Sequence, residues 1–291
     1  MRHGICLTAV YPEAMQNCSR LIKLIREVSK QGIYDCVEFY FEGTKEEERE
    51  IQTVLSHTDI RLVYHAGYRM KRDRLCITAS SELQRIHAVQ EICSMYESAC
   101  RMGADKMLIL SGPAEEGMTE DVIIQQAKRS LEEIDRFCGS QLTEITLEFF
   151  ATQREPYFSL GSTERVREVF QDEKWSHIAI TYDTSHVIQL KEDVRSGFMN
   201  LKEWIHHVHL SNSMSIDQNH ELYGDKHPLF SLENGDFPLE KIRSIYWEFY
   251  KEHLFDKVDI CSVEVISRGN EEECNYQIRK EAEYIWKQEE I

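Results

Sequence analysis

Eight short apolar runs, most of them followed by a helical pattern, constrain the fold of this chain more than any other feature. They are residues 4–11 (GICLTAVY), 34–41 (YDCVEFYF), 60–67 (IRLVYHAG), 104–112 (ADKMLILSG), 143–150 (TEITLEFF), 177–183 (HIAITYD), 205–211 (IHHVHLS) and 258–266 (VDICSVEVI). Rich in β-branched and aromatic residues and short, they read as strands. Between them stand amphipathic segments such as CSRLIKLIREVSKQG and EDVIIQQAKRSLEEIDRFCG. Gly32, Gly103 and Gly139 sit where helix C-caps belong, and Ser162 or Thr163 opens STERVREVF as an N-cap. Alternation of this kind requires a parallel sheet, and eight strands close it into an α/β fold of the (β/α)8 barrel type. No GxGxxG or P-loop pattern follows any run, so an open nucleotide-binding sheet lacks its phosphate cradle. No linker or low-complexity tract breaks the pattern, and residues 1–291 read as a single domain. The longest irregular stretch, 212–238, follows the seventh strand, where a βα loop is expected to carry substrate contacts or a lid.

Four of the runs deliver metal-type ligands near their ends: Glu148 in TEITLEFF, Asp183 with His186 in HIAITYDTSH, His209 in WIHHVHLSN and Glu264 in DICSVEVIS. One carboxylate at a strand end is ordinary. Three carboxylates and two histidines on four consecutive strands imply a divalent cation, because parallel barrel strands end on one rim. Strand side chains alternate faces, so the residue two before each strand ligand shares its face. Those residues, Thr146, Thr181, His207 and Ser262, are all polar, while their neighbours Ile145, Leu147, Ile180, Val208, Leu210, Val263 and Val265 are apolar. The apolar face is expected to pack on helices and the polar face to line a partly wet lumen. Two glutamates, one aspartate and one histidine form an oxygen-rich set that suits Mn2+, Mg2+ or Co2+ and is compatible with Zn2+. His186 is a further ligand or a contact to a substrate oxygen.

The formal net charge of −17 disfavours a nucleic-acid role resting on broad phosphate contact, which needs a basic surface. A small substrate held by a cation meets no such obstacle. The nine cysteines are odd in number and form no CxxC pair, so a reducing, cytoplasmic compartment is expected. Met1-Arg2-His3 leads straight into the first strand without a signal-peptide pattern, and no apolar run approaches transmembrane length.

The succession LEFF, YDTSH, HVHLSN and VEVIS resembles the xylose isomerase-like TIM barrels, which include sugar and sugar-phosphate isomerases and epimerases and the endonuclease IV branch. The likeness runs from VEFYF on the second strand to the last strand. It implies a (β/α)8 TIM barrel with metal ligands Glu148, Asp183, His209 and Glu264. On the isomerase or epimerase reading, the cation polarises the carbonyl and neighbouring hydroxyl of a keto sugar. Glu148 and Glu264 then remove and return the carbon-bound proton from opposite faces, His186 steadies the enediolate oxygen, and Glu38 binds a sugar hydroxyl or, as a strand residue, pairs with a neighbouring cation. The partner is a sugar or sugar derivative, neither nucleic acid nor membrane, and such barrels commonly associate as homo-oligomers. Two features depart from the family. ATQREP after Glu148 lacks the lysine of true xylose isomerases, which disfavours a hydride shift. SNSMSIDQNHELYGDKH lacks the arginine of ketose epimerases, leaving Arg268 or Lys226 as substitutes.

A competing reading follows the endonuclease IV branch. His65 in VYHAGY and the Asp225-Lys226-His227 triplet resemble its additional zinc ligands, although Ser111 stands where that branch has a histidine. It implies a multi-zinc phosphodiesterase acting on a small, non-DNA substrate. A third expectation, the weakest against four intact ligands, is a barrel that binds a metabolite without turning it over.

Overall fold

The computed structural model describes residues 1–150 and 158–288. Its strands are β1 (Arg2–Cys6), β2 (Cys36–Phe39), β3 (Arg61–His65), β4 (Lys106–Leu110), β5 (Glu144–Glu148), β6 (Ile178–Asp183), β7 (Ile205–Leu210) and β8 (Ile260–Val263). They pair in parallel in chain order, and β8 returns to β1 through the register Arg2↔Ile260 to Ile5↔Val263. The expected (β/α)8 barrel is therefore closed. Around it lie α1 (Leu7–Val10), α2 (Cys18–Gln31), α3 (Lys45–Leu55), α4 (Gly67–Asp73), α5 (Glu82–Met102), α6 (Glu120–Cys138) and α7 (Thr163–Phe170). The ring continues with α8 (Thr184–Gln189), α9 (Val194–Leu201), α10 (Leu239–Lys251) and α11 (Glu271–Trp286). No described helix is long and apolar enough to cross a membrane. All nine cysteines are free.

Local signals account for the helix ends. Asn17 caps α2 through its side-chain oxygen and Gly32 ends it with φ 67°, a left-handed turn that costs glycine little. Ser162 caps α7 as expected, accepting from the Arg165 N–H. The first strand differs from expectation. It stops at Cys6, and Leu7–Val10, which read as strand, form a buried helical turn. Here the chain must leave the barrel wall beside the rim, and tertiary packing overrides the β-propensity of these residues.

The alternation inside the strands is as expected: Ile145, Leu147, Ile180, Val208, Leu210 and Val263 are buried in the hydrophobic core. The lumen-facing polar residues are closed off from bulk solvent. Thr146, Thr181, His207 and Ser262 are all fully buried. Thr181 donates its hydroxyl to Thr146 Oγ1 at 2.7 Å, and His207 Nδ1 lies 3.1 Å from Thr181 Oγ1. Thr146, Thr181 and His207 form one chain of contacts that ends on Glu38 of β2, whose Oε1 lies 2.9 Å from His207 Nε2, while Ser262 Oγ is buried without a hydrogen-bond partner. At the opposite, N-terminal end, buried Lys106 pairs with Glu144 and with Asp259 at 3.1 Å.

His3 ties β1 to the last two helices. Its ring stacks on Trp286 at 4.2 Å, and its Nε2 lies 2.8 Å from the Tyr246 hydroxyl. Burial, only partly opposed by Asp35, lowers its pKa from 6.5 to about 4. The folded value lies below the unfolded one, so this contribution to stability is complete above pH 6.5 and is lost as pH falls towards 4. Its size is on the order of 2–3 kcal/mol. His3→Phe keeps the stack and removes the titration. Its loss of stability between pH 7 and pH 4, read by urea denaturation, is expected to be smaller than wild type by that amount. Equal pH slopes in the two proteins would show that His3 is not the titrating group.

Candidate metal centre

Each ligand-type side chain is set by where its strand ends. Glu148 and Asp183 are the last residues of β5 and β6, His209 is the penultimate residue of β7, and Glu264 follows β8. The Glu264 N–H donates to the Leu210 carbonyl at 3.0 Å, which carries the register of β7 and β8 to the rim. Asp183 is also the N-cap of α8. Its Oδ1 accepts from the N–H groups of Ser185 (2.7 Å) and His186 (3.1 Å) and from the hydroxyls of Ser185 (2.7 Å) and Ser211 (2.5 Å). One oxygen is thus spent on orientation, and Oδ2 is free to bind.

The structure brings Glu148, Asp183, His209 and Glu264 together, with one ligand atom from each within 4.8 Å of the others. His209 Nδ1 lies 2.8 Å from Glu264 Oε2, 3.3 Å from Glu148 Oε1 and 3.8 Å from Asp183 Oδ2. Glu148 Oε1, Asp183 Oδ2 and His209 Nδ1 are all buried, yet none has a hydrogen-bond partner. Orphaned buried polar atoms are costly, and three facing one point call for a shared ligand. A divalent cation fits them: three carboxylates and one imidazole match Mn2+, Mg2+, Co2+ or Zn2+.

Glu38, expected to bind a sugar hydroxyl or to pair with a neighbouring cation, lies in the barrel interior against two imidazoles. It is fully buried beneath the quartet, accepting from His207 Nε2 at 2.9 Å and His209 Nε2 at 3.0 Å. Burial opposes its ionisation, but the two imidazoles overcome this and hold its carboxyl well below the usual range. A carboxylate that takes the Nε2–H of His209 leaves Nδ1 as the lone-pair donor facing the quartet.

His186 lies at the same rim, with Nδ1 3.6 Å from Glu148 Oε1 and its ring on Phe150 at 3.9 Å. Its Nε2 is 3.2 Å from Asp225 Oδ1, and His227 Nε2 is 2.7 Å from that same oxygen. Lys71, His227 and His186 together outweigh burial and hold the Asp225 carboxyl well below its ordinary value. His227 is pushed up to about 10 against burial by Glu264 and Asp225. Asp183, His186 and His227 themselves form a second group of ligand-type atoms. His65 lies beside the quartet, near His209. It is 5 % exposed, lies roughly parallel to His209 at 6.1 Å, and neither ring nitrogen has a hydrogen-bond partner. Burial lowers its pKa.

Arg268, one of the two expected substitutes for the missing arginine, is engaged by backbone carbonyls. It donates to the carbonyls of Ile266 (2.9 Å) and Lys226, and the Lys226 side chain is exposed. The ATQREP segment lies outside the described residues. Sequence reasoning passed over Lys71, which reaches Asp225 Oδ2 at 3.3 Å, and Cys6, which groups with His65 and Glu264. Neither carried a sequence signal: Cys6 stood inside the expected strand 4–11, and Lys71 only follows His65 by six residues.

The chain belongs to the xylose isomerase-like TIM barrel family, whose model matches residues 25–284. No curated protein matches the sequence. Among solved structures it is similar to a D-tagatose 3-epimerase-like protein at 17% identity, with a TM-score of 0.72 and 98% of both chains covered. It is also similar to the IolI protein with a bound zinc atom, at 15% identity, TM-score 0.73 and 98% of both chains. A D-psicose 3-epimerase from Clostridium cellulolyticum H10, solved with D-tagatose, is 12% identical with a TM-score of 0.69, covering 98% of this chain and 96% of that one.

Proposed function

We propose that this protein is a divalent-metal-dependent sugar isomerase or epimerase that works by proton transfer. The observation that carries this reading is the quartet of Glu148, Asp183, His209 and Glu264, with three of its ligand atoms buried and unpartnered. The cation, when bound, supplies Lewis-acid polarisation of a keto sugar's carbonyl and adjacent hydroxyl. Glu148 and Glu264, from strands on different sides of the barrel, act as the base that removes the carbon-bound proton and the acid that returns it. His186 Nδ1 is buried without a hydrogen-bond partner; with Nε2–H given to Asp225, the ring donates from Nδ1 to the substrate oxygen that gains charge only as the imidazolium. Phe150, tilted against His186 with ring centres 3.9 Å apart, holds that ring in place. Sugar 3-epimerases among the structural neighbours support the same class of substrate.

The test is solvent exchange. Incubated in D2O with Mn2+, Co2+ or Zn2+ and a panel of ketopentoses and ketohexoses, the protein should replace one carbon-bound proton, seen by NMR. Removing the metal with a chelator should lower the exchange rate by about a hundredfold or more, and added metal should restore it. No exchange with any ketose under any metal would defeat the reading.

A second reading is a multi-zinc phosphodiesterase acting on a small substrate. It is favoured by the second group, Asp183, His186 and His227, with Asp225 touching both imidazoles. Zinc-dependent hydrolysis of bis(4-nitrophenyl) phosphate is the measurement that separates it from the first.

A further inference from the structure

The second group of ligand-type side chains already has a cation beside it, and it is a residue of this chain. Lys71, on α4, extends its ammonium to 3.3 Å from Asp225 Oδ2. The other oxygen, Oδ1, is taken by His186 and His227. The ammonium is held from the opposite side by aromatic faces, at 4.4 Å from the Phe150 ring centre and 5.9 Å from that of Phe158. The Lys71 side chain is 40 % exposed while that of Asp225 is 9 % exposed, so the lysine reaches inward from the mouth to a nearly buried carboxylate. An exposed lysine has no need to give up rotamer freedom for one hydrogen bond; this one is pinned by a carboxylate and two rings at once.

We propose that Lys71 is a tethered cation that takes the place of a second metal ion beside Asp225 and so restricts the rim to one divalent ion. The proposal rests on the reading of the quartet as a one-ion site, and it assigns Lys71 a positioning and specificity role rather than a catalytic one.

The charge arithmetic supports it. A divalent ion held by Asp183, His186 and His227 would sit next to Asp225, one carboxylate away from the ammonium. Like charges at that separation repel, although the half-exposed ammonium is partly screened by solvent. Two imidazoles share Asp225 Oδ1 and the ammonium holds Oδ2, so a second ion would have to compete with these three donors for its oxygens. Burial works against the ammonium's charge, but Asp225, Glu148 and Glu264 overcome this and raise its pKa above that of an ordinary lysine. It therefore stays charged across the range in which the protein would meet a metal. A positive charge without the exchangeable sites of a metal also leaves His186 free to serve the substrate, as the isomerase reading requires. Phosphodiester cleavage by two ions would need the opposite arrangement.

The experiment counts zinc in wild type, Lys71→Met, Lys71→Arg and the double variant Lys71→Met with Asp225→Asn. Each is loaded with excess zinc, desalted and measured by elemental mass spectrometry, with affinities from competition against a chromophoric chelator. Wild type and Lys71→Arg should hold one zinc per chain. Lys71→Met should hold two, the second bound about a hundredfold more tightly than in wild type. The double variant should return to one. Lys71→Gln is a second neutral replacement should the methionine variant fail to fold. Two zinc ions in wild type, or one in both neutral variants, would overturn the proposal; none in wild type would remove the quartet assignment and the proposal with it. Deuterium exchange by wild type separates the two ideas. Exchange without a change in zinc count removes the role of Lys71 and leaves the isomerase. A change from one ion to two without exchange on any ketose leaves Lys71 and removes the isomerase.

Discussion

Glu148→Gln and Glu264→Gln each lower turnover of the correct ketose by about a thousandfold or more, at saturating metal, while the barrel stays folded. Glutamine keeps the volume and one ligand oxygen, so the fold, whose core lies between strands and helices, has no reason to fail. What it removes is the ability to take up a proton. Neither residue can then act as base, and neither can deliver a proton as acid. The two variants should not be alike in every measurement. If Glu148 serves one face of the substrate and Glu264 the other, each variant keeps one intact base. Solvent exchange into one epimer then survives in Glu148→Gln and into the other epimer in Glu264→Gln, while interconversion fails in both. Metal content measured on the same samples removes the simpler cause, loss of the ion. Full turnover in either variant takes that residue out of the proton path. Exchange lost equally from both epimers in both variants would mean that the two carboxylates act together rather than on separate faces.

The parts of this site that were legible in the sequence share one property: they depend on local pattern alone. A strand has a period of two, and a parallel barrel brings its strand ends to one rim. Glu148, Asp183, His209 and Glu264 could therefore be placed side by side without knowing a single pairing. Val263 and Leu210 fall on the helix-facing side for the same reason. Where the chain leaves the pattern, the reading failed. Leu7 to Val10 have strand-like composition but turn into a short helix, because the wall of the barrel ends at Cys6. The role of Glu38 was beyond reach for a different reason. Its partners lie 169 and 171 residues away on β7, across the barrel interior. Only the closed ring sets that distance, and a glutamate on the second strand looks the same whether it faces substrate or two buried imidazoles. Lys71 was invisible on the same grounds. On a short helix with Arg69, Arg72 and Asp73, it reads as one more solvated charge, and its partner is 154 residues on, in the long loop after β7.

Glu38→Gln is expected to weaken both the fold and the metal site, although the residue touches neither solvent nor substrate. Glu38 accepts two N–H groups, one from His207 and one from His209, and both of its oxygens are used. A carboxylate can do this because it only accepts. Glutamine has one oxygen and one NH2 group, so one of the two imidazoles must face a donor with a donor. If His207 yields, its second contact, with Thr181 Oγ1, must reverse, and the hydroxyl pair of Thr181 and Thr146 must reorganise with it. If His209 yields, its proton moves to Nδ1, the atom that faces Glu148, Asp183 and Glu264, and a ligand is lost from the quartet. Either way two buried imidazoles lose a negative charge that now stabilises them. Breaking a buried charged pair from one side costs about 3–5 kcal/mol, and loss of a carboxylate behind a ligating histidine costs about 10- to 100-fold in metal affinity. Urea denaturation of the metal-free protein and competitive zinc titration of the folded protein read these separately. A variant with wild-type stability would show that the imidazoles do not depend on the charge of Glu38. Wild-type zinc affinity alongside reduced stability would place the whole strain on His207 and leave His209 oriented by the quartet itself.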